Sequence, residues 1–189
     1  FHFKNSAFFH FQRILRCVAL VEEVAARHDA TVLRVPVGRQ HAMDALAMYP
    51  VDRIAIAGEG TGAVMLPEFR FIYDGIASLF ALLSMLALRE TNLKQLVASL
   101  PAYDMRKAEV KLDSKRIPEL MIKLEEQYGS AINGMVCDTR DGLRVDWASG
   151  WLHVRVSNTE PIVRVICEQR EGSSEELMAN LLDTVRGLA

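Results

Sequence analysis

The order of hydrophobic and polar positions predicts two regions of different architecture. In the first region, apolar residues recur at helical spacing over 18–28, and a β-branched run at 31–35 ends at Pro36. Further predicted helices and strands continue this alternation, at about 40–48, 53–57, 75–89 and 92–98. Helices that alternate with strands predict an α/β domain in which helices pack on a mixed, mostly parallel sheet.

The second region begins near residue 107 and is rich in successive strands. A strand at 107–112 and a helix at 114–128 precede four predicted strands and a final helix, at about 132–138, 142–147, 151–156, 162–169 and 174–187. Turn signals such as Asp141-Gly142 separate the strands. Consecutive strands with two flanking helices predict an α+β domain with a largely antiparallel sheet and both helices on one face.

These patterns divide the chain into four segments. Residues 1–13 form an atypical start that holds five of the eight phenylalanines. Residues 14–100 form the α/β domain, 101–106 form a linker that begins at Pro101, and 107–189 form the α+β domain. A chain that begins with Phe instead of Met suggests a fragment or a processed product, although a native short protein stays open.

Composition narrows the class of protein. Half of the residues are hydrophobic, and 22 Lys and Arg stand against 24 Asp and Glu, for a net charge of −2. Such a chain can bury a hydrophobic core. It lacks the excess of basic residues that is typical of a protein that binds nucleic acid. The apolar run 76–88 is too short to cross a membrane, and we expect it to form a buried core helix.

The cysteines indicate a compartment. Cys17, Cys137 and Cys167 are odd in number and far apart in sequence, which argues against a disulfide framework or a zinc site. We expect free thiols in a reducing, cytoplasmic environment.

A glycine-rich loop at 58–63 carries the first candidate chemistry. Its sequence formally fits the dinucleotide fingerprint, but Pro67 breaks the helix that should follow, and Glu59 would face an anionic ligand. A tight turn explains the glycines without explaining Glu59. A carboxylate and the hydroxyl of Thr61 suit the vicinal hydroxyls of a sugar, so both are candidate sugar ligands.

A polar loop at 155–164 is the second candidate binding site. It joins two predicted strands and combines guanidinium, hydroxyl, amide and backbone N–H groups, in Arg155, Ser157, Asn158, Thr159 and Arg164. This set suits a phosphate, with Arg155 as a bidentate donor, although a polar hairpin that satisfies only its own backbone would also explain it. We expect the ligands to meet at one exposed anion site.

Together the two loops resemble the α-D-phosphohexomutases, the family of phosphoglucomutase, phosphomannomutase and phosphoglucosamine mutase. Residues 58–62 match the sugar-binding G-E-x-x-G loop of the family's third domain, and 155–164 match in full the phosphate loop R-x-S-[GN]-T-E-P-x-x-R of the fourth. Supporting likenesses include Asp74-Gly75 and Asp141-Gly142. The likeness covers about residues 14–189, so that 14–100 corresponds to the third domain and 107–189 to the fourth.

The resemblance implies an isomerase of carbohydrate metabolism that interconverts hexose 1-phosphate and hexose 6-phosphate through a bisphosphate. Glu59 and Thr61 would then grip sugar hydroxyls, while the polar loop would hold the phosphate that is not transferred. Ala63 stands where many members have His, which leaves the preferred hexose open. A non-catalytic phosphosugar-binding module is the alternative interpretation.

The groups that would carry out phosphoryl transfer in this family are not found in this sequence. The family's phosphoserine loop and its magnesium loop belong to the first two domains, and neither pattern occurs in the 189 residues. The resemblance therefore implies magnesium for the complete enzyme and none held by this chain. It also implies the missing N-terminal domains as partners, beside the hexose phosphate, and an inactive fragment without catalytic residues.

Overall fold

The computed structural model describes residues 10–14, 19–60, 62–128, 135–157 and 160–187. The chain divides into two compact units, Phe1–Pro101 and Ala102–Ala189. The first contains a mixed sheet with helices and the second an antiparallel sheet with two helices, which confirms the predicted fold class.

The first unit is built on a four-stranded sheet. Its strands are β1 (His10–Ile14), β2 (Thr31–Val35), β3 (Ile56–Gly58) and β4 (Val64–Met65), in the order β2-β1-β3-β4. The pairs β1–β2 and β1–β3 are parallel, and β3–β4 is antiparallel. Four of the five residues of β1 belong to the predicted atypical start at 1–13, yet β1 occupies an inner position of the sheet.

The described residues of this unit form four α-helices: α1 (Leu20–Ala26), α2 (Arg39–Leu46), α3 (Gly75–Leu88) and α4 (Leu93–Ala98). Asp74 caps α3 as predicted, since its carboxylate accepts a hydrogen bond from the Ala77 N–H at 2.9 Å. A small core joins Leu46, Ile54, Ala57 and Met65.

The expectation that 76–88 forms a buried core helix is wrong. α3 has no buried residue, and Ile76 and Phe80 expose 72% and 64% of their surface. The apolar run correctly predicted a helix, but hydrophobicity alone does not supply a partner that covers it. No helix within the described ranges is both long and apolar enough to span a membrane.

The second unit is a five-stranded antiparallel sheet with two helices. Its strands are β5 (Asp104–Lys111), β6 (Val136–Asp138), β7 (Leu143–Trp147), β8 (Gly150–Val156) and β9 (Ile162–Gln169), in the order β5-β9-β8-β7-β6. The helices are α5 (Ile117–Tyr128) and α6 (Glu175–Arg186). β5 begins three residues before its predicted start at 107, so 104–106 of the expected linker are strand.

The two faces of this sheet differ in chemistry. Alternate residues, such as Val154 on β8 and Val165 on β9, pack with Leu124 of α5 and Leu181 of α6 in one apolar core. The remaining positions form the opposite face, which we call the polar face. It carries buried polar and aromatic side chains from β7, β8 and β9: Arg144, Trp151, His153, Arg155 and Glu168.

Candidate functional site

The glycine-rich loop is a tight turn between β3 and β4. The Glu59 N–H donates to the Ala63 carbonyl at 2.9 Å, and the Gly62 N–H donates to the Glu59 carbonyl at 2.9 Å. Gly62 has φ of +90°, a conformation that side chains with a Cβ rarely adopt. The strand therefore turns back at once instead of opening a helix, which is the geometry that argued against a dinucleotide site. Thr61 lies outside the described residues.

Glu59 has a neighbour that the sequence analysis did not identify. The hydroxyl of Tyr73 is buried beside the Glu59 carboxylate without a well-formed hydrogen bond. Burial first, and the Glu59 carboxylate second, raise the pKa of Tyr73, while the charge of Arg39 acts in the opposite direction. Tyr73 forms an isolated antiparallel bridge with Met65, and this pairing brings it to the loop.

Arg155 and Ser157 lie at the end of β8, and both are buried. Their exposed fractions are 4% and 7%, so the expectation of an exposed anion site is wrong for these two residues. Arg155 points into the polar face because it alternates with Val154 and Val156 along the strand. The Ser157 N–H donates to the Ile162 carbonyl at 2.9 Å, which closes the loop between β8 and β9. Asn158 and Thr159 lie outside the described residues.

Two arginines stand side by side next to this loop. Arg155 on β8 is the register partner of Arg164 on β9, and Arg164 is the register partner of Glu109 on β5. The Arg164 Nε donates to Glu109 at 3.0 Å, and its Nη2 lies 3.4 Å from Glu160. Arg164 is thus engaged by carboxylates of the neighbouring strand and of the loop itself.

The other side of Arg155 meets the turn between β6 and β7. The Arg155 Nε lies 3.5 Å from Asp141 Oδ1, and the exposed fractions of the two side chains are 5% and 18%. The ring of His153 is fully buried, and its Nε2 donates to the Asp141 backbone carbonyl at 2.6 Å. Burial lowers the pKa of His153 to about 4, so the imidazole is neutral at pH 7.

The rest of the polar face is tied together by similar contacts. Arg144 forms a two-point ion pair with Asp146, at 2.7 and 2.8 Å, and stacks over the Trp151 ring at 4.0 Å. The Trp151 indole N–H donates to Glu168 at 2.9 Å. Arg155 therefore stands on a supported polar layer instead of on a free loop.

Among the residues that the structure describes, no three His, Cys, Asp or Glu side chains are grouped so that they could hold a metal ion. Asp138 instead binds Arg140, whose guanidinium lowers the pKa of that carboxyl. We therefore assign no step of a reaction to a metal on this chain.

Two family profiles match the sequence. Residues 12–103 match the phosphoglucomutase/phosphomannomutase alpha/beta/alpha domain III, and residues 85–187 match the phosphoglucomutase/phosphomannomutase C-terminal domain. The chain belongs to the phosphoglucomutase/phosphomannomutase family. It corresponds to the C-terminal portion of these proteins, as the two loop motifs implied.

Curated relatives agree with this assignment. A probable phosphoglucosamine mutase of Methanopyrus kandleri is 30% identical over 168 residues, which cover 88% of this chain and 36% of the relative. A phosphoglucomutase/phosphomannomutase of Thermococcus kodakarensis is 31% identical, with coverage of 87% and 34%. The chain thus spans about a third of the length of these relatives.

Solved structures share the fold. A phosphoglucomutase/phosphomannomutase family protein from Burkholderia thailandensis superposes with a TM-score of 0.73 at 24% identity, over 95% of this chain and 37% of that one. Aspergillus fumigatus N-acetylphosphoglucosamine mutase, solved with GlcNAc-6P and magnesium, gives a TM-score of 0.68 at 15% identity, with coverage of 96% and 39%.

Sequence reasoning named the ligand candidates but did not identify the side chains that lie beside them. Tyr73 lies fourteen residues after Glu59, and Asp141 lies fourteen residues before Arg155. The Asp141-Gly142 pair was visible as a turn signal, yet only the β7–β8 register reveals that this turn faces Arg155. His153 gave no signal, because one histidine in a strand is ordinary.

Proposed function

We propose that this chain is the sugar- and phosphate-binding portion of a phosphohexomutase, the enzyme that interconverts hexose 1-phosphate and hexose 6-phosphate. The observation that carries the proposal is Arg155, a buried guanidinium that the sheet presents at the root of the phosphate-loop motif. Membership of the family and the share of the relatives that the chain covers support the assignment to one part of a larger enzyme.

Arg155 supplies the charge for the phosphate. Its Nε lies 3.5 Å from Asp141 Oδ1 and makes no hydrogen bond to the described residues. In the proposed site the Nη edge faces the phosphate. Two parallel N–H groups match two phosphate oxygens, and each charge-assisted hydrogen bond contributes about 1.5–3 kcal/mol. Ser157, Asn158 and Thr159 complete the phosphate shell. Arg164 braces the loop through Glu160 and completes the positive side of the site.

Glu59 and Thr61 recognise hydroxyl groups of the sugar. The turn at 59–62 holds the Glu59 carboxylate beside Tyr73 in a short loop, where no core or helix position requires a negative charge. Contacts to the sugar hydroxyls would orient the substrate, and orientation is the main contribution that a protein makes to phosphoryl transfer.

Amide mapping by NMR tests the proposal. Glucose 6-phosphate added to the ¹⁵N-labelled chain should shift amides of 155–164, whereas glucose without phosphate should leave those amides in place. The variant Arg155→Ala should abolish the loop shifts. Phosphate-dependent shifts confined to other surfaces, or shifts that survive in Arg155→Ala, would remove the assignment.

The chain by itself should not turn over hexose phosphates. The phosphoserine and magnesium loops that the family resemblance implies do not occur in this sequence, so the positioned substrate has no phosphoryl donor. A coupled assay with magnesium and hexose bisphosphate should give the buffer rate. Turnover above that rate would show that catalytic groups are present in these residues.

A further inference from the structure

The turn at Asp141-Gly142 is seated directly on Arg155. The turn joins β6 to β7, and β7 pairs with β8 so that Leu143 lies opposite Val154. This register places residues 141–142 against the end of β8, where Arg155 begins the phosphate loop. Three separate contacts connect the turn to this part of the strand.

The first contact is electrostatic. Asp141 Oδ1 lies 3.5 Å from the Arg155 Nε, and only 5% of the arginine side chain is exposed. The Nε makes no hydrogen bond to the described residues, so this contact is an ion pair. A carboxylate at this edge favours one rotation of the guanidinium plane, because the five N–H groups of arginine have a rigid, planar arrangement. In the proposed function, the Nη edge donates two parallel hydrogen bonds to the phosphate.

The second contact fixes the backbone. Gly142 has φ of +80°, and a Cβ at this position would lie 2.3 Å from the Val154 carbonyl oxygen and 2.9 Å from the Arg155 Cα. Only glycine permits so close an approach. The turn therefore packs against the main chain of Arg155, and its distance from the guanidinium is set by the sheet.

The third contact is a hydrogen bond from His153 to the backbone of the turn. The His153 Nε2 donates to the Asp141 carbonyl at 2.6 Å, and the ring is fully buried two residues before Arg155 on the same strand face. Because a carbonyl oxygen only accepts hydrogen bonds, Nε2 carries the proton of the neutral ring. His153 thereby ties the Asp141 backbone to the strand that bears Arg155.

We propose that Asp141 is a positioning residue that orients the Arg155 guanidinium for the phosphate, with Gly142 and His153 fixing the turn that carries it. This inference rests on the proposed function, in which Arg155 is a phosphate ligand. It predicts a change in phosphate affinity opposite to the change that charge alone would give. A carboxylate near an anionic ligand repels it, so charge alone predicts that removing Asp141 strengthens phosphate binding. Positioning predicts that its removal weakens binding.

The test uses Asp141→Asn in the ¹⁵N-labelled chain, with Asp146→Asn as the matched control. Asp146 is also a carboxylate paired with an arginine of the polar face, but its partner is Arg144. Titration with glucose 6-phosphate and with inorganic phosphate gives the affinities, and the Nε–Hε resonance of Arg155 reports on the guanidinium itself. We expect Asp141→Asn to shift that resonance and to weaken both ligands three- to tenfold. We expect Asp146→Asn to stay within twofold of wild type.

The other outcomes distinguish failure of the positioning role from failure of the proposed function. If wild type binds and Asp141→Asn binds equally or more tightly, the positioning role is overturned while the proposed function stands. If wild type shows no phosphate-dependent shifts in 155–164, the proposed function falls, and the inference falls with it. Should Asp141→Asn fail to fold, His153→Gln provides the second variant, and we expect it to move the Arg155 resonance and weaken phosphate binding less strongly. An unmoved resonance and unchanged affinity in His153→Gln would overturn the inference.

Discussion

The two candidate loops are supported in different ways. The glycine loop joins two strands of three and two residues, and its Glu59 has a buried tyrosine hydroxyl beside it. The phosphate loop joins strands of seven and eight residues, and its Arg155 is buried among charged and aromatic side chains of the sheet. In the proposed function, the group that binds phosphate is thus a guanidinium fixed by the fold. The group that binds the sugar is a carboxylate held mainly by its own turn.

Substitutions in the glycine loop and in the phosphate loop should differ in their effect on the free energy of unfolding. Residues around Arg155 belong to the fold as well as to the proposed site, since the polar face is a buried layer of the second unit. Glu59 belongs to the proposed site and to no core, because the core of the first unit lies at Leu46, Ile54, Ala57 and Met65. Substitutions in the two loops should therefore separate binding from stability to different degrees.

The largest effect is expected at Gly142. The substitution Gly142→Ala should lower the free energy of unfolding by about 2–5 kcal/mol, because a left-handed φ and a 2.3 Å approach to the Val154 carbonyl act together. Urea unfolding of the purified chain measures the change.

Two other glycines serve as controls for that substitution. Gly172 and Gly62 have φ of +81° and +90°, but a Cβ at either would meet nothing within 4 Å. Gly172→Ala and Gly62→Ala should each cost about 1–2 kcal/mol, from the backbone conformation alone. Equal losses at all three positions would show that the turn at 141–142 is not packed against Arg155.

The next effect is a dependence of stability on pH that comes from His153. Its pKa of about 4 in the folded chain lies below the ordinary value of 6.5, so the unfolded chain binds the proton more tightly. The contribution of His153 to stability is fully present above about pH 6.5 and decreases as the pH falls towards 4. Between pH 7.5 and 4.5 the loss should be about 2–3 kcal/mol.

His153→Gln isolates that contribution. The charged and titratable groups around the ring are Arg144, Asp141 and Arg155, and they remain in the variant. Chemical unfolding of both proteins across this pH range should give a steeper slope for wild type. The same slope in the variant would mean that another group accounts for the dependence.

The smallest effect on stability is expected at Glu59. Glu59→Gln should change the free energy of unfolding by less than about 1 kcal/mol, because the carboxylate belongs to no core. In the complete enzyme it should weaken the use of the substrate. Tyr73→Phe is the companion variant, since it removes the neighbouring hydroxyl and keeps the ring. A large loss of stability in Glu59→Gln with unchanged kinetics would show that the carboxylate is structural.

Most of the fold was readable from periodicity and turn chemistry. The strands at 31–35 and 162–169 were predicted to the residue, since β-branched runs bounded by turns leave little choice. β1 was missed because the apolar positions around it are repeatedly interrupted by polar residues. β4 was missed because two residues carry no periodic signal. The exposure of α3 was not predictable, because a hydrophobic pattern does not specify the surface that covers it.

The candidate site was readable only in part. A sequence motif identifies Arg155, and its alternation with Val154 indicates which face it occupies. The contacts proposed to orient it come from Asp141 and Gly142, which are 14 and 13 positions away and are brought to it by the β7–β8 register. Such pairing depends on how strands align across the sheet, and no local pattern in the sequence records it.

The dissociation constant of glucose 6-phosphate tests the central claim most directly. Calorimetric titrations would compare wild type, Arg155→Ala and the control Arg170→Ala, which removes the same charge just past the other end of β9. We predict weak binding by wild type that weakens further with added salt, a loss of at least about tenfold in Arg155→Ala, and a change within twofold in Arg170→Ala. Equal affinity of wild type and Arg155→Ala would contradict the account.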